Sequence, residues 1–102
     1  SDIAEHVAIH YQLTLSALTG PRRSQEVADA RAVAMWCIRS LRGRTGTKYS
    51  FAYIGEFFNR DHGTVMHAFR KIERYRAVYP AFLRETDALR ARVLGEPAAM
   101  AS

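Results

Sequence analysis

The stretch Ile54-Gly55-Glu56-Phe57-Phe58-Asn59-Arg60-Asp61-His62-Gly63-Thr64-Val65-Met66-His67-Ala68-Phe69-Arg70-Lys71-Ile72 reads as two helices joined by a tight turn, the second opening on polar side chains. Gly55 is a small residue where the first helix must let the second pass closely, and Asn59 tolerates the left-handed backbone such a turn requires. Asp61 can accept from the free N–H groups that begin the second helix. That cap sets the register, leaving His62, Gly63 and Thr64 in the first turn and returning Val65 to the core. In a helix-turn-helix, first-turn side chains of the second helix are the ones that reach base edges in a major groove.

Upstream, apolar spacing predicts a first helix over 3–11 with Asp2 as its cap, and a brief helix through Leu15 and Leu18 started by Thr14 or Ser16. Gly20-Pro21 stops it, which makes Pro21-Arg22-Arg23-Ser24 a basic loop. A third helix begins between Ser24 and Asp29 and ends near Arg42. Its run Ala32-Val33-Ala34-Met35-Trp36-Cys37-Ile38 is apolar nearly all round, which marks a central buried helix with Trp36 as a large part of the core. The Arg42–Tyr49 segment, with two glycines and three cations, reads as a mobile basic loop, and Ser50 caps the helix after it. Downstream, Val65, Phe69, Ile72 and Tyr75 or Arg76 keep helical spacing. Pro80 then starts a last helix with Phe82, Thr86, Leu89 and Val93 on one stripe. The expected fold is all-α: one compact multi-helix domain over 1–94 with a flexible tail at 95–102.

With 102 residues, 48% of them hydrophobic, the chain suits a single core. Lys and Arg number 15 against 10 Asp and Glu, a net charge of +5. Between Arg22 and Arg76 lie 12 basic and 5 acidic residues, so the positive charge gathers around the proposed reader and points to a polyanionic partner. The lone Cys37 rules out a disulfide framework within one chain and fits a reducing cytosol as a core thiol. No apolar run approaches the length of a membrane span, and no basic amino-terminal region suggests a signal peptide, so a cytoplasmic, nucleoid-associated domain without membrane attachment is expected. His6 and His10 stand four apart on one helix without an evident third ligand, so no metal is expected. The lack of a Gly-x-Ser-x-Gly elbow or an exposed nucleophile speaks against an enzyme, and no cofactor or small-molecule substrate is expected.

The motif from Ile54-Gly55 through Arg60-Asp61-His62-Gly63-Thr64-Val65 to Arg70-Lys71-Ile72, with Tyr11, the Arg22-Arg23-Ser24 loop and Arg31 upstream in the same order, resembles the carboxy-terminal DNA-binding domain of the bacterial replication initiators of the DnaA family. The resemblance covers nearly everything from Ile3 to about Leu94. It implies a Trp-repressor-like helix-turn-helix that binds double-stranded DNA at DnaA-box-like sites, in replication initiation or transcription regulation. Carried over by position, Arg23 enters a narrow minor groove, whose negative potential suits a guanidinium, with Arg22 and Ser24 beside it. Asp61, His62 and Thr64 read the major groove around Gly63 and Arg60, and Arg31 approaches guanine from the third helix. Arg39, His67, Arg70 and Lys71 fall to phosphates, which orient the protein without reading sequence.

Several positions depart from the family pattern. Gly63 stands where Thr or Ser is usual, Phe58-Asn59 replaces Gly-Gly, Ala30 replaces a common Pro, Ala32 a Gln and Asp29 a frequent Arg, and the 42–49 loop is longer. These leave open an altered site or a weaker specificity. Gly43-Arg44-Thr45-Gly46-Thr47-Lys48 misses the phosphate-loop spacing, so ATP would concern this chain only through a separate ATPase domain, and the chain reads as either an excised initiator domain or a stand-alone relative. The alternative is a protein interaction module that keeps the fold and uses exposed Phe51, Tyr53, Tyr75 and Tyr79. Such a module has no need of the Arg23, Asp61, His62 and Thr64 set. Arg74, Arg76, Arg84, Arg90 and Arg92 are expected on solvated faces near Glu73, Glu85 and Asp87.

Overall fold

The computed structural model describes residues 2–21, 23–41 and 48–94. Six α-helices run through them in the order α1 Asp2–His10, α2 Leu15–Thr19, α3 Gln25–Ser40, α4 Phe51–Phe58, α5 His62–Val78 and α6 Pro80–Leu94. No strand forms among the described residues, and the fold is all-α. Arg22, most of the 42–49 loop and the 95–102 tail lie outside them.

The helix boundaries follow from local chemistry. The Thr14 side chain accepts from the Ala17 N–H to open α2, and the Ser50 side chain accepts from the Tyr53 N–H to open α4. Ser24 stands at the cap of α3 without a side-chain cap bond. α1 differs from expectation: Asp2 lies inside the helix rather than before it, and the exit is a turn in which Gln12 takes a φ of 58°. There the Leu13 N–H donates to Ala8 and the Gln12 N–H to Ile9, so the last carbonyls of α1 are satisfied without a glycine.

α3 is the centre. Every residue from Ala30 to Ile38 is buried, and α1, α2, α4 and α5 all pack on it. The core joins Trp36, Met35 and Val33 of α3 to Val7, Leu18, Ile54, Phe58, Val65, Ile72 and Leu89 from the other five helices. Thr86, fully buried in α6, donates to the Phe82 carbonyl and accepts from Arg76, so it enters the core without an orphaned hydroxyl.

Of the arginines expected on solvated faces, Arg76 is instead largely covered, and Arg90 is half-covered while pairing with Asp87. The Arg76 and Arg90 guanidiniums lie 4.5 and 4.9 Å from the Trp36 ring centroid, and both reach the Asp87 carboxylate, at 2.9 and 3.2 Å. A guanidinium packs flat on an indole and keeps its edge for hydrogen bonds, so helical spacing alone misplaces such residues. His10 and Tyr11 both reach Glu85 Oε2 at 3.0 Å, which ties α1 to α6. His10 is thus an α6 partner, and among the described residues no cluster of three or more His, Cys, Asp or Glu gathers at metal distance.

Cys37 is buried and free, and burial pushes its thiol up to about 12. At pH 8 the folded protein therefore holds it as the unreactive thiol, whereas the unfolded chain, with a thiol pKa of about 8.5, does not. Ellman's reagent at pH 8 should leave the native protein unmodified and react at once in denaturant. Rapid native-state reaction would show that α3 is not closed around Cys37.

Candidate nucleic-acid interface

The turn between α4 and α5 is built by Gly55 and Asn59. Asn59 takes the left-handed backbone at φ 58°, ψ 44°, the Asn59 N–H donates to Glu56, and the Arg60 N–H donates to Gly55 at 2.8 Å. This double closure ends α4 and reverses the chain at once. A Cβ on Gly55 would collide with the Arg60 carbonyl oxygen and meet the Asp61 carbonyl carbon at 3.3 Å, so the close approach excludes any side chain there. The Phe58-Asn59 pair thus makes the turn with only one left-handed residue, and Phe58 is fully buried beneath it.

Asp61 caps α5 as its position demanded: Oδ1 accepts from the Thr64 N–H at 2.8 Å. That backbone bond holds its carboxyl below the usual carboxylate range, so it is ionised at neutral pH and keeps acceptor capacity beyond the cap. Asp61, His62, Gly63 and Thr64 are all exposed, while Val65 is fully buried. The first turn of α5 therefore offers its side chains outward while the next residue anchors it.

Beside this turn, Pro21, Arg23, Ala28, Arg31, Asn59 and Arg60 line an open groove of about 430 Å³. Arg23 is exposed on its rim. The groove is held by the Gly20 carbonyl, which accepts from Arg31 Nη2 at 3.0 Å and from Arg60 Nη2 at 2.9 Å. Arg60 also donates to the Phe58 carbonyl at 2.8 Å, and Arg31 Nε to the Leu18 carbonyl at 2.7 Å. The basic loop and the α4–α5 turn, distant in sequence, are thus pinned to one oxygen.

This placement alters two expectations. Arg31, expected against guanine, is 7% exposed, and its guanidinium is committed to the carbonyls that end α2. Burial first and the Arg60 charge second pull its pKa down, although a guanidinium stays protonated. Arg39, expected on phosphates, donates to the Tyr49 carbonyl at 2.6 Å and lies 4.1 Å over the Phe51 ring. It sits about 12 Å farther along α3 than Arg31, at the start of α4. Phe51, offered above as an exposed partner-binding ring, is half-buried between Arg39 and Phe69.

Along α5, His67 and Arg70 are exposed, whereas Lys71 Nζ is paired with Asp29 Oδ1 at 3.2 Å. Two roles were missed in the sequence. The bridging of Arg60 to Gly20 left no signal, because the carbonyl it uses belongs to the backbone. Asp29 was legible as an odd charge, but the lysine it meets was not.

The bacterial DnaA protein helix-turn-helix family matches residues 1–72 of the chain. Similar proteins include the chromosomal replication initiator protein DnaA of Deinococcus radiodurans, 36% identical over 96 residues, which cover 94% of this chain and 20% of that protein. The protein of the same name from Clavibacter sepedonicus is 47% identical over 72 residues, covering 70% of this chain and 14% of its own length. The one from Cereibacter sphaeroides is 42% identical over 77 residues, 74% of this chain and 16% of that protein. The chain thus spans about a fifth or less of these relatives.

Replacing Arg60 by Ala is expected to cost about 1 to 3 kcal/mol in urea unfolding, since partly buried carbonyls lose charged donors. Lys should recover only part, because an ammonium lacks the planar fork that spans Phe58 and Gly20. Full recovery by Lys would show that charge alone matters there.

Proposed function

The chain belongs to the bacterial DnaA helix-turn-helix family, and from that premise we propose that it binds double-stranded DNA sequence-selectively at DnaA-box-like sites, in replication initiation. The observation that carries this reading is the meeting of Arg23 with the α4–α5 turn at one groove: Asn59 and Arg60 line it beside Arg23, Arg60 is bonded to Gly20 at the start of the basic loop, and the turn leads directly into the outward first turn of α5.

The chemistry of each element is specific. The Thr64 methyl suits a thymine methyl, His62 donates or accepts at a base edge, and Asp61 accepts from a cytosine amino group with the lone pairs its cap leaves over. Arg23 reaches the adjacent minor groove, where a narrow A·T tract concentrates negative potential. His67 and Arg70 follow on the exposed face of α5 and take phosphates, which fixes register before bases are read. Arg31 and Arg60 serve this site by setting the spacing between the two readers. Nucleotide hydrolysis, in this reading, belongs to parts of the relatives that this chain does not match.

Fluorescence anisotropy on a DnaA-box duplex and a scrambled duplex of equal composition, at several salt concentrations, tests the proposal. A preference for the box that survives moderate salt is the expected result, and His62→Ala should lose about 1 to 3 kcal/mol on the box while flattening that preference. Equal, steeply salt-dependent binding to both would reduce the function to backbone contact. No binding to either would favour a protein partner at the exposed Tyr75, Val78 and Tyr79 patch.

Gly63 offers a gain-of-function test. A Cβ there meets only Asp61 Oδ1, at an ordinary 3.5 Å, so a side chain fits. Gly63→Ala, in the first turn of α5, should stabilise the helix by less than the roughly 0.5 to 1 kcal/mol of a helix-interior change. Gly63→Thr, which restores the hydroxyl and methyl usual in the family, should tighten binding to the box and not to the scrambled duplex. Equal affinities for Gly63→Ala and Gly63→Thr on the box would remove this position from base reading.

A further inference from the structure

Lys71 and Asp29 form an ion pair whose surroundings differ from those of the Arg76 pairs. Asp29 Oδ1 accepts from Lys71 Nζ at 3.2 Å and from Gln25 Nε2 at 2.7 Å, so one oxygen serves a cation on α5 and an amide on its own helix. The side chains of Lys71 and Asp29 are 30% and 51% accessible. Water and salt reach such a pair, and its contribution to folding is small. Arg76 is the contrast: 13% accessible, bonded to Asp87 and Thr86 and stacked on Trp36, it is a structural cation. α3 and α5 are held together by Val33, Val65 and Ile72, not by Lys71.

Position gives the pair its meaning. Lys71 stands one helical turn after exposed His67 and next to exposed Arg70. Asp29 does not line the groove that Arg23 borders: with Lys71 it lines a separate cavity that Tyr11, Val33 and Tyr75 also border. The carboxylate therefore occupies a cation that shares a helix face with His67 and neighbours Arg70, the two side chains that the proposed function gives to phosphates.

We propose that Asp29 is a specificity-determining residue: it stands in for a DNA phosphate on Lys71 in the free protein and releases the lysine only to a phosphate held in register. The inference rests on the DNA-binding reading above. When the base contacts dock α5, His67 and Arg70 fix a phosphate close enough to displace the carboxylate, and the Gln25 amide keeps Asp29 satisfied after Lys71 leaves. On arbitrary duplex no phosphate is held in that register, and Lys71 stays with Asp29. The device lowers non-specific affinity more than specific affinity, because only one of the two complexes recovers the lysine.

The test measures wild type, Asp29→Asn, Asp29→Glu, Lys71→Ala and the Asp29→Asn/Lys71→Ala double variant on box and scrambled duplexes across a salt series, with a thermal melt of each. Asp29→Asn should bind the scrambled duplex several-fold tighter, with the slope of log K against log salt steeper by about 0.9, the signature of one more phosphate neutralised. Box affinity should rise less, so the preference narrows. Asp29→Glu should behave as wild type, and the gain should vanish in the Lys71→Ala background. A gain of the same size without Lys71 would overturn the proposal, since Asp29 would then act only as a repelling charge, and unchanged slopes would overturn it too. If Asp29→Asn fails to fold, Asp29→Ser takes its place in the same comparison. Wild type binding neither duplex overturns the DNA-binding reading and this inference with it; wild type binding normally with no response at Asp29 overturns this inference alone.

Discussion

Two guanidiniums meet on one carbonyl oxygen, that of Gly20, and the arrangement of the rest of the interface depends on that meeting. Arg31 comes from the buried central helix and Arg60 from the α4–α5 turn, so the oxygen ties the end of α2 to both. Burying the Arg31 guanidinium, and secondarily bringing it near Arg60, costs energy, and both pull its pKa down. The carbonyls that end α2 offset that cost, because Leu18, Ala17 and Gly20 all accept from Arg31 at a helix end that carries partial negative charge. The clamp adds a direct bond between the start of the loop bearing Arg23 and the turn that precedes α5.

The reader helix is likewise determined at both ends by different physics. At its start, a carboxylate cap and a left-handed asparagine set where the helix begins, and a buried valine sets its rotation. Beyond its middle, Arg76 is stacked on the core tryptophan and bonded to α6. Between these fixed points His67 and Arg70 are exposed. The polar tip is therefore presented by a rod whose position the core decides.

Much of this was legible in the residue order. Gly55, Asn59, Asp61, Thr14 and Ser50 announce turns and caps because each acts on backbone within a few residues of itself, and the apolar run around Trp36 announces a buried helix. What escaped was every role that depends on a partner far away in the chain. Arg31, Arg76 and Arg90 look like surface residues in any local window, yet each covers its charge with a carbonyl, a carboxylate or an indole supplied by another helix. Gln12 gave no hint of its positive φ, since neither Gly nor Asn marks that turn. At the candidate site, the register of Asp61 to Thr64 and the loop with Arg23 could be read in advance, while the burial of Arg31, the diversion of Arg39 to Tyr49 and the partner of Asp29 could not.

The packing of Arg76 on Trp36 is one of the contacts that set the tilt of α5. Roughly 20 Å of helix separate that anchor from the first-turn side chains, so a pivot of a few degrees at the indole displaces the tip by about an ångström, enough to break a base-edge hydrogen bond. Residues around Trp36, none of them near the tip, thereby govern aim. On the proposed DNA-reading role, substitutions around Trp36 and in α6 that leave the fold intact would act on the aim of α5 without any change in the side chains that point outward.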